Sequence, residues 1–531
     1  MRKALQFIND AIQYRRQWHA GLNGWFSKIL ARVPAAEERT YRHRLLGLFV
    51  ASRTLMLFAG VWFDQSAVRH GMHLIDSELL QHNFWQSLWY QHIQPPFFNM
   101  LTALTLLITP NGYEWLFLWP LFLLLGWLLI LGLYRLMRGL GIPARLAFTV
   151  TVLFSISPAM MYFGSWYAYS LPITVGLVWS VVYFMRWMST RRSRHLFLFF
   201  TLMLPAVGMH TLFLWLWMVL LVAVVLLLAR GYRAQVLLCG LLPVLVCLSF
   251  PAKNYYLYGT FSASSWSGLT LGLMVNTHNP DYALREKLYA EGKISALSLM
   301  ERPETAVENL PPPYNHPALT GIQVLDDVRK ANGDINFNNA TYLKTGPVLV
   351  HDAITIFKAN PWLYVQTVQN AFFIYVLPLS DYFWLRAKTL TLYWDWAWNL
   401  VTAGRIGWSP KSTFLHLSAP PDGYANAFAP NLFGTIAKAP WYLVGWFNFL
   451  IIPGLIGYGC WLGLRGVTGK AQALQRRATL MLLAYNVIYV TAMSVLFAIS
   501  ENHRYRFYIS PFLAVYFAMA VQYLLVRYRN R

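Results

Sequence analysis

A cluster of polar side chains precedes a pair of prolines at positions 95 and 96. Its members carry carboxylates, imidazoles or an amide: Asp64, His73, Asp76, Glu78, His82, His92 and Gln94. A carboxylate in such a loop can act as a general base toward a hydroxyl group. The prolines fix the backbone and remove two N–H donors where the chain enters an apolar run. The same composition also suits a solvated loop at a membrane surface, so both interpretations stay open.

A second element follows an apolar run and consists of Pro251-Ala252-Lys253-Asn254-Tyr255, with Gly259 shortly after it. A lysine at a membrane boundary can hold a lipid phosphate. It can equally serve as an anchor whose charged end reaches water while its stem stays in the apolar layer. The residues alone do not separate these two roles.

A third element, Glu501-Asn502-His503-Arg504-Tyr505-Arg506, stands between two apolar runs near the end of the chain. Arginine suits phosphate because its planar fork donates two parallel hydrogen bonds. The alternative is an internal ion pair with Glu501. Arg53, inside the first apolar run, is structural or lines a substrate path, because a charge there usually faces a bundle interior.

The composition is that of a membrane protein. Of 531 residues, 57% are hydrophobic and 12% are charged, about half the charged fraction of a soluble protein. The net charge is +22, but the basic residues cluster between apolar runs, which favours membrane topology over a nucleic-acid partner. The three cysteines lie inside apolar runs and indicate neither a zinc site nor a disulfide framework.

Ten apolar runs are candidate membrane spans, since a spanning helix needs about 20 apolar residues. They lie near 45–63, 115–134, 146–162, 171–185, 196–209, 211–229, 234–250, 441–464, 478–498 and 509–526. The Lys and Arg residues of the short loops can all be cytoplasmic if the run at 97–109 dips into the membrane from the outer side and returns. That topology places Arg504 and Arg506 on the outer side, against the usual charge bias.

The resulting fold class is an all-α polytopic membrane protein with a seven-span core, about three further C-terminal spans and large extracytoplasmic loops. Residues 1–44 form a cytoplasmic basic tail, either with an interfacial helix at 4–30 or unstructured. The seven-span catalytic core covers 45–250 and includes the first outer loop, 64–114 (the first loop). Residues 251–440 form a large outer loop with a soluble insert (the large loop), and 441–531 hold the C-terminal spans.

The large loop is rich in acid, with ten of the 21 acidic residues between positions 270 and 360. Such a stretch does not sit in lipid, so it is expected to fold on the outer surface. The apolar segment 362–380 either lies along the interface or crosses and returns near 388–403.

Together the three elements resemble the GT-C type of integral-membrane glycosyltransferases, which includes protein O-mannosyltransferases and lipid A aminoarabinose transferases. Asp76-Ser77-Glu78 before Pro95-Pro96 is similar to the acidic first loop of that superfamily. Lys253-Asn254-Tyr255 and Glu501 through Arg506 are similar to its Arg-Asn-Tyr and Glu-x-Arg-Tyr-Arg elements. Three departures exist: Ser77 splits the acidic pair, Lys253 replaces an arginine, and the last motif is one residue longer.

The resemblance implies an inverting transfer of a sugar from a polyprenyl-phosphate donor to a glycan, glycolipid or protein acceptor. It implies Asp76 as the base, with Glu78 and then Asp64 as alternatives. Donor phosphate would be bound by Lys253, Arg504, Arg506 and His503. Substrate would be oriented by His92, Gln94, Glu501 and Tyr255. A divalent metal is compatible with the paired acids but is not indicated by them.

The expected location is a bacterial inner membrane, with the active site facing the periplasm or exterior and membrane lipid as a partner. One alternative is an O-antigen polymerase or ligase, which also uses lipid-linked saccharide but does not require an acid before Pro-Pro. Another is a lipid or polysaccharide transporter, which predicts an inverted repeat and ionisable residues at mid-membrane. A purely structural scaffold is the remaining alternative.

Overall fold

A computed structural model of the chain describes residues 35–276, 281–317, 319–382, 385, 389–404, 447–464 and 471–529. Within these residues the regular structure is helical, and extended segments form only isolated bridges. The predicted all-α class is therefore confirmed. The predicted tail helix at 4–30 and the end of the large loop lie outside the described residues.

The helices of the first half, to the end of the seventh predicted span, are α1 Ala35–Phe58, α2 Ala67–His70, α3 Ser77–His82, α4 Phe84–Tyr90, α5 Phe97–Ile108, α6 Trp115–Gly139, α7 Ala144–Ile156, α8 Pro158–Gly164, α9 Ser170–Thr190, α10 Ser193–Thr201, α11 Leu204–Met209, α12 Trp215–Leu228 and α13 Arg233–Tyr258. Those of the second half are α14 Trp266–Asn276, α15 Tyr282–Ala290, α16 Gln323–Asp326, α17 Thr341–Ala359, α18 Pro361–Val376, α19 Thr389–Ala403, α20 Phe447–Leu464, α21 Ala471–Phe497 and α22 Asn502–Arg529.

Six of these helices are long and apolar enough to cross a membrane: α6, α9, α13, α20, the Leu474–Phe497 part of α21, and α22. A seventh candidate is the pair α7 and α8, which is bent by 60°. The chain is therefore a polytopic α-helical membrane protein. The predicted spans at 196–209 and 211–229 form shorter apolar helices, and the span at 45–63 falls within and just after α1.

Helix α1 begins ten residues before the predicted span, because its first turns are held by ion pairs to the next two long helices. Glu38 accepts a bidentate hydrogen bond from Arg138, with 2.9 Å to Nη2. Glu37 lies 3.7 Å from Arg145. The end of the predicted basic tail is thus part of a helix that packs on the bundle.

The bend between α7 and α8 lies at Ser157-Pro158, where proline cannot continue the α7 hydrogen-bond pattern. A helix end leaves carbonyl groups without partners. Arg53 Nη1 donates to the carbonyl of Ser155 at 2.9 Å and to its hydroxyl at 3.1 Å. Arg53 thus bonds the end of α7, as the structural role predicted for it requires.

Helix α5 covers most of the run predicted to dip into the membrane. Its 12 residues span about 18 Å, well short of the roughly 30 Å of hydrocarbon. The helix packs closely on α11, since a Cβ atom at Gly208 would lie 2.1 Å from the ring of Phe97. The length and the tight contact agree with a helix that enters and returns on one side.

Helix α9 lies at the centre of the bundle and is buried along nearly its whole length. It packs against α6, α10, α21 and α22. Its first residue follows Tyr169, and its next-to-last turn contains Arg186. The two ends of this one helix therefore mark two opposite ends of the bundle.

Candidate active site

The first loop docks onto the beginning of the large loop through His92. Its Nδ1 lies 2.7 Å from the hydroxyl of Ser265, and its Nε2 lies 2.8 Å from the carbonyl of Asn338. The hydroxyl of Ser264 donates to the carbonyl of Ile93 at 2.5 Å. These bonds join segments that are far apart in the sequence, as the proposed convergence of the first two elements requires.

The protonation of His92 follows from its surroundings. Burial lowers its pKa to about 3, so the ring is neutral at ordinary pH. A carbonyl oxygen only accepts, so Nε2 carries the proton and Nδ1 accepts from the Ser265 hydroxyl. Both ring nitrogens are thus used within the protein, and His92 acts on the site through the loops that it joins.

Asp76 is a buried acid of the first loop. It caps the N-terminus of α3, where its Oδ1 accepts from the backbone N–H of Glu78 at 3.0 Å. Its Oδ2 accepts from the backbone N–H of Ala331, in the large loop, at 2.6 Å. A carboxylate offers about four acceptor sites, and these N–H groups fill two of them. Glu78, by contrast, is exposed, and Asp64 accepts from the N–H of Ser66.

Lys330 is not among the predicted site residues, but it lies beside Asp76. Its ammonium donates to the carbonyl of Gly71 at 2.7 Å, and its side chain is buried. Burial lowers the pKa of Lys330 to about 8, while the charges of Asp334 and Asp76 oppose this shift. The lysine is one of several cations in an acid-rich stretch, so no local pattern distinguishes it.

Arg504 stands at the start of α22 in a cage of tyrosines. Its guanidinium lies over the rings of Tyr169, Tyr382 and Tyr505, at 5.0, 5.4 and 5.2 Å from the centroids. It donates to Glu501, which also accepts from the Tyr382 hydroxyl at 2.6 Å. The internal pair considered for this motif is therefore present. The Arg504 Nε is buried and makes no hydrogen bond to any described residue.

His73 connects the Arg504 cage with the Lys330–Asp76 pair. Burial first, and then the charges of Arg504 and Lys330, lower the pKa of His73 to about 3. Its ring packs edge-on against Trp266 of the large loop at 4.5 Å. Its buried Nδ1 has no hydrogen-bond partner among the residues with described positions.

Gln94, in the second half of the first loop, also lies close to the Arg504 cage. It lies with Arg504 beside the buried hydroxyl of Tyr169, which makes no hydrogen bond of good geometry within the described chain. The structure thus gathers two carboxylates, two cations and several uncommitted polar atoms around His73. The gathered side chains are Asp76, His73, Gln94, Tyr169, Lys330, Arg504 and Glu501.

Other predicted site residues lie elsewhere or are engaged. Tyr255 is 61% exposed on the outside of α13. Lys253 donates to the carbonyl of Gln91, on the His92 side of the loop. Arg506 donates to the carbonyls of Tyr375 and Leu377, the latter at 2.6 Å, and so caps the end of α18.

His503 is buried next to the Arg504 cage, with its ring 5.4 Å from that of Tyr382. Within the described residues, no group of three or more His, Cys, Asp or Glu side chains is arranged to hold a metal ion.

Comparisons of the chain with models of known families, with curated proteins and with solved structures found no match. The resemblance to GT-C enzymes therefore depends on the three sequence elements. The structural observation that bears on this resemblance is the arrangement of side chains around His73.

Proposed function

We propose that this protein is an inverting glycosyltransferase of GT-C type. It moves a sugar from a polyprenyl-phosphate donor to an acceptor at the outer face of the membrane in which it lies. The observation that supports this most is the approach of Arg504 and Lys330 to His73, with Asp76 beside Lys330. A base and two cations that are remote in sequence thereby share one site at the end of the bundle.

In the proposed reaction Asp76 takes the proton of an acceptor hydroxyl. The hydroxyl oxygen then attacks the anomeric carbon of the donor sugar. The bond from that carbon to the phosphate oxygen breaks on the opposite face, so the configuration inverts. The products are the glycosylated acceptor, protonated Asp76 and free polyprenyl phosphate.

The leaving group is a phosphate, which is a weak base and needs no proton as it departs. It gains negative charge, and preorganised cations in a water-poor site stabilise such charge effectively. Arg504 and Lys330 are suited to this because both are buried. The tyrosine cage orients the Arg504 guanidinium. Its Nε–H group has no hydrogen-bond partner in the described structure.

The hydrogen bonds to Asp76 suit a base that must be positioned. The N–H groups of Glu78 and Ala331 fix the carboxylate plane, which brings a reacting hydroxyl and the base into one geometry. The polyprenyl tail would lie against the apolar helices, and the acceptor would be a glycan, glycolipid or protein of the cell envelope.

The test is lipid analysis of a strain that lacks the protein. We expect the strain to accumulate a polyprenyl-phosphate sugar and to lose one sugar from an envelope polymer, glycolipid or protein. The purified protein should then transfer that sugar with inversion. A strain with unchanged envelope sugars and unchanged lipid-linked pools would refute the proposal. Accumulation without transfer by the purified protein would favour a transporter.

A further inference from the structure

A cavity of about 460 Å³ lies at the end of the bundle opposite the candidate active site. Its wall includes Arg42, Tyr134, Arg135, Arg138, Arg186 and Gln475. These residues come from α1, α6, α9 and α21, so the cavity is built by four helices. Its volume falls within the range of about 300–1,000 Å³ that small-molecule sites occupy.

The cavity is remote from the site around His73. Helix α9 begins beside Tyr169 and has 21 residues, which corresponds to a length of about 30 Å. Arg186 lies in its next-to-last turn. Since about 30 Å is also the thickness of the hydrocarbon layer, the two sites belong to opposite faces of the membrane.

The charge of the cavity wall is not balanced. Arg138 is paired with Glu38, which neutralises one cation. Arg42, Arg135 and Arg186 make no ion pair with any described residue. Arg42 and Arg186 are close enough to Arg135 for their charges to repel it. Folding therefore gathers three cations that have no carboxylate partner among the described residues, and a bound anion would stabilise this arrangement.

Aromatic rings hold two of these cations in place. Arg135 lies over the ring of Trp179 at 5.1 Å, and Arg186 lies over that of Tyr183 at 5.2 Å. Such contacts orient a guanidinium without neutralising it. The Nε of Arg42 is buried and has no hydrogen-bond partner in the described part of the chain. Two oriented guanidinium groups, and a third with an unpartnered donor, are suited to phosphate oxygens.

We propose that this cavity is a second binding site, specific for a phosphate group, at the membrane face opposite the candidate active site. The charge bias of membrane topology requires arginines in these loops but does not require them to converge on one cavity from separate helices. The ligand is either the headgroup of an anionic lipid or a soluble phosphate compound.

The test uses the full-length protein, purified in detergent, and two probes: phosphatidylglycerol and inorganic phosphate. Native mass spectrometry reports retained lipid, and thermal unfolding reports binding of phosphate. The variant is Arg135→Ala with Arg186→Ala. The matched control is Arg192→Ala with Arg194→Ala, which removes the same charge from exposed positions shortly after α9, outside the cavity wall.

We expect the wild type and the control to bind one of the two probes, and the cavity variant to lose at least tenfold in that binding. Retained phosphatidylglycerol identifies a lipid headgroup, and stabilisation by inorganic phosphate identifies a soluble ligand. If the double variant fails to fold, Arg42→Gln replaces it, because that side chain makes no ion pair in the described structure. Equal loss in the control, or binding of neither probe by the wild type, overturns the proposal.

Discussion

Asp76 accepts a hydrogen bond of 2.6 Å from the backbone N–H of Ala331, although the two residues belong to different loops of the chain. The neighbouring Lys330 holds the carbonyl of Gly71. The large loop therefore clamps the first loop on both sides of the proposed base. The position of the proposed base therefore depends on contacts between the two loops, and the first loop alone would not hold it there.

Asp76→Asn should abolish sugar transfer and leave most of the fold intact. Asparagine caps a helix about as well as aspartate, but it cannot take up a proton. We expect a loss of about 10²–10⁴-fold in turnover. An amide has a single acceptor oxygen, so one N–H bond is lost, at a cost of about 1 kcal/mol in stability. Transfer assays and thermal unfolding measure the two effects.

Glu78→Gln is the matched control, because it changes an exposed carboxylate two positions away. Its activity should equal that of the wild type. Full activity of Asp76→Asn would remove Asp76 from the role of base, and loss of activity in Glu78→Gln alone would transfer the role to Glu78.

Arg504→Lys should weaken donor binding, whereas Arg506→Lys should lower the stability of the fold. Lysine keeps the charge but lacks the planar fork. In Arg504→Lys we expect the KM for the donor to rise at least about tenfold, which is roughly 1.4 kcal/mol. In Arg506→Lys the carbonyls of Tyr375 and Leu377 lose bonds, so stability should fall by about 1–3 kcal/mol with an unchanged donor KM. The same rise in KM in both variants would contradict a specific role for Arg504.

The buried carboxyl group of Glu304, in the large loop, should make the stability of the folded protein depend on pH. The side chain is 8% exposed, and neither carboxylate oxygen accepts a hydrogen bond of good geometry from the described residues. Burial raises the pKa of Glu304 to about 7. Between the ordinary value and about 7 the folded chain binds the proton more tightly than the unfolded chain, so stability falls as the pH rises through this window.

Glu304→Gln removes that loss. The variant should therefore be more stable than the wild type by about 1–3 kcal/mol at pH 8 and nearly equal to it at pH 5. Thermal unfolding at both pH values measures the difference. Glu301→Gln, an exposed change in the same segment, should show no such dependence. An equal difference at both pH values would contradict the burial of a titrating carboxylate.

Labelling from outside the cell tests the predicted orientation without reference to function. Cys239, Cys247 and Cys460 are first replaced, and single cysteines are placed at exposed positions. An impermeant maleimide should label Glu78→Cys and Lys293→Cys in intact cells, and Arg192→Cys only after permeabilisation. Labelling of Glu78→Cys and Lys293→Cys from opposite sides would separate the two loops and contradict the structure.

The long apolar runs made the membrane helices predictable, because length and composition alone determine whether a helix can span. The sequence also predicts that the first loop and the start of the large loop lie on one side of the membrane, but not the contact between His92 and Ser265. The shape of the site was not predictable. Whether Asp76 or Glu78 turns inward depends on the start of α3, and Lys330 acquires its place only through contacts with Gly71 and Asp76.

Arg504 and Arg506 illustrate the limit most clearly. They stand two positions apart in one motif and have the same chemistry, yet the first faces a tyrosine cage and the second caps α18. Residues two apart on a helix point in different directions. The neighbours that distinguish them are Tyr169 and Tyr382 for Arg504 and the end of α18 for Arg506, and no local pattern reveals them.

The bend at Pro158 has an electrostatic consequence. Among the described residues Arg53 bonds only neutral oxygens, those of Ser52 and Ser155, so no carboxylate there balances its charge. The C-terminus of α7, where these oxygens lie, carries the partial negative charge of a helix dipole. A continuous helix through this point would have no such pole, and the arginine would be isolated in apolar surroundings. The interruption of the helix and the cation in α1 are therefore expected to be gained or lost together.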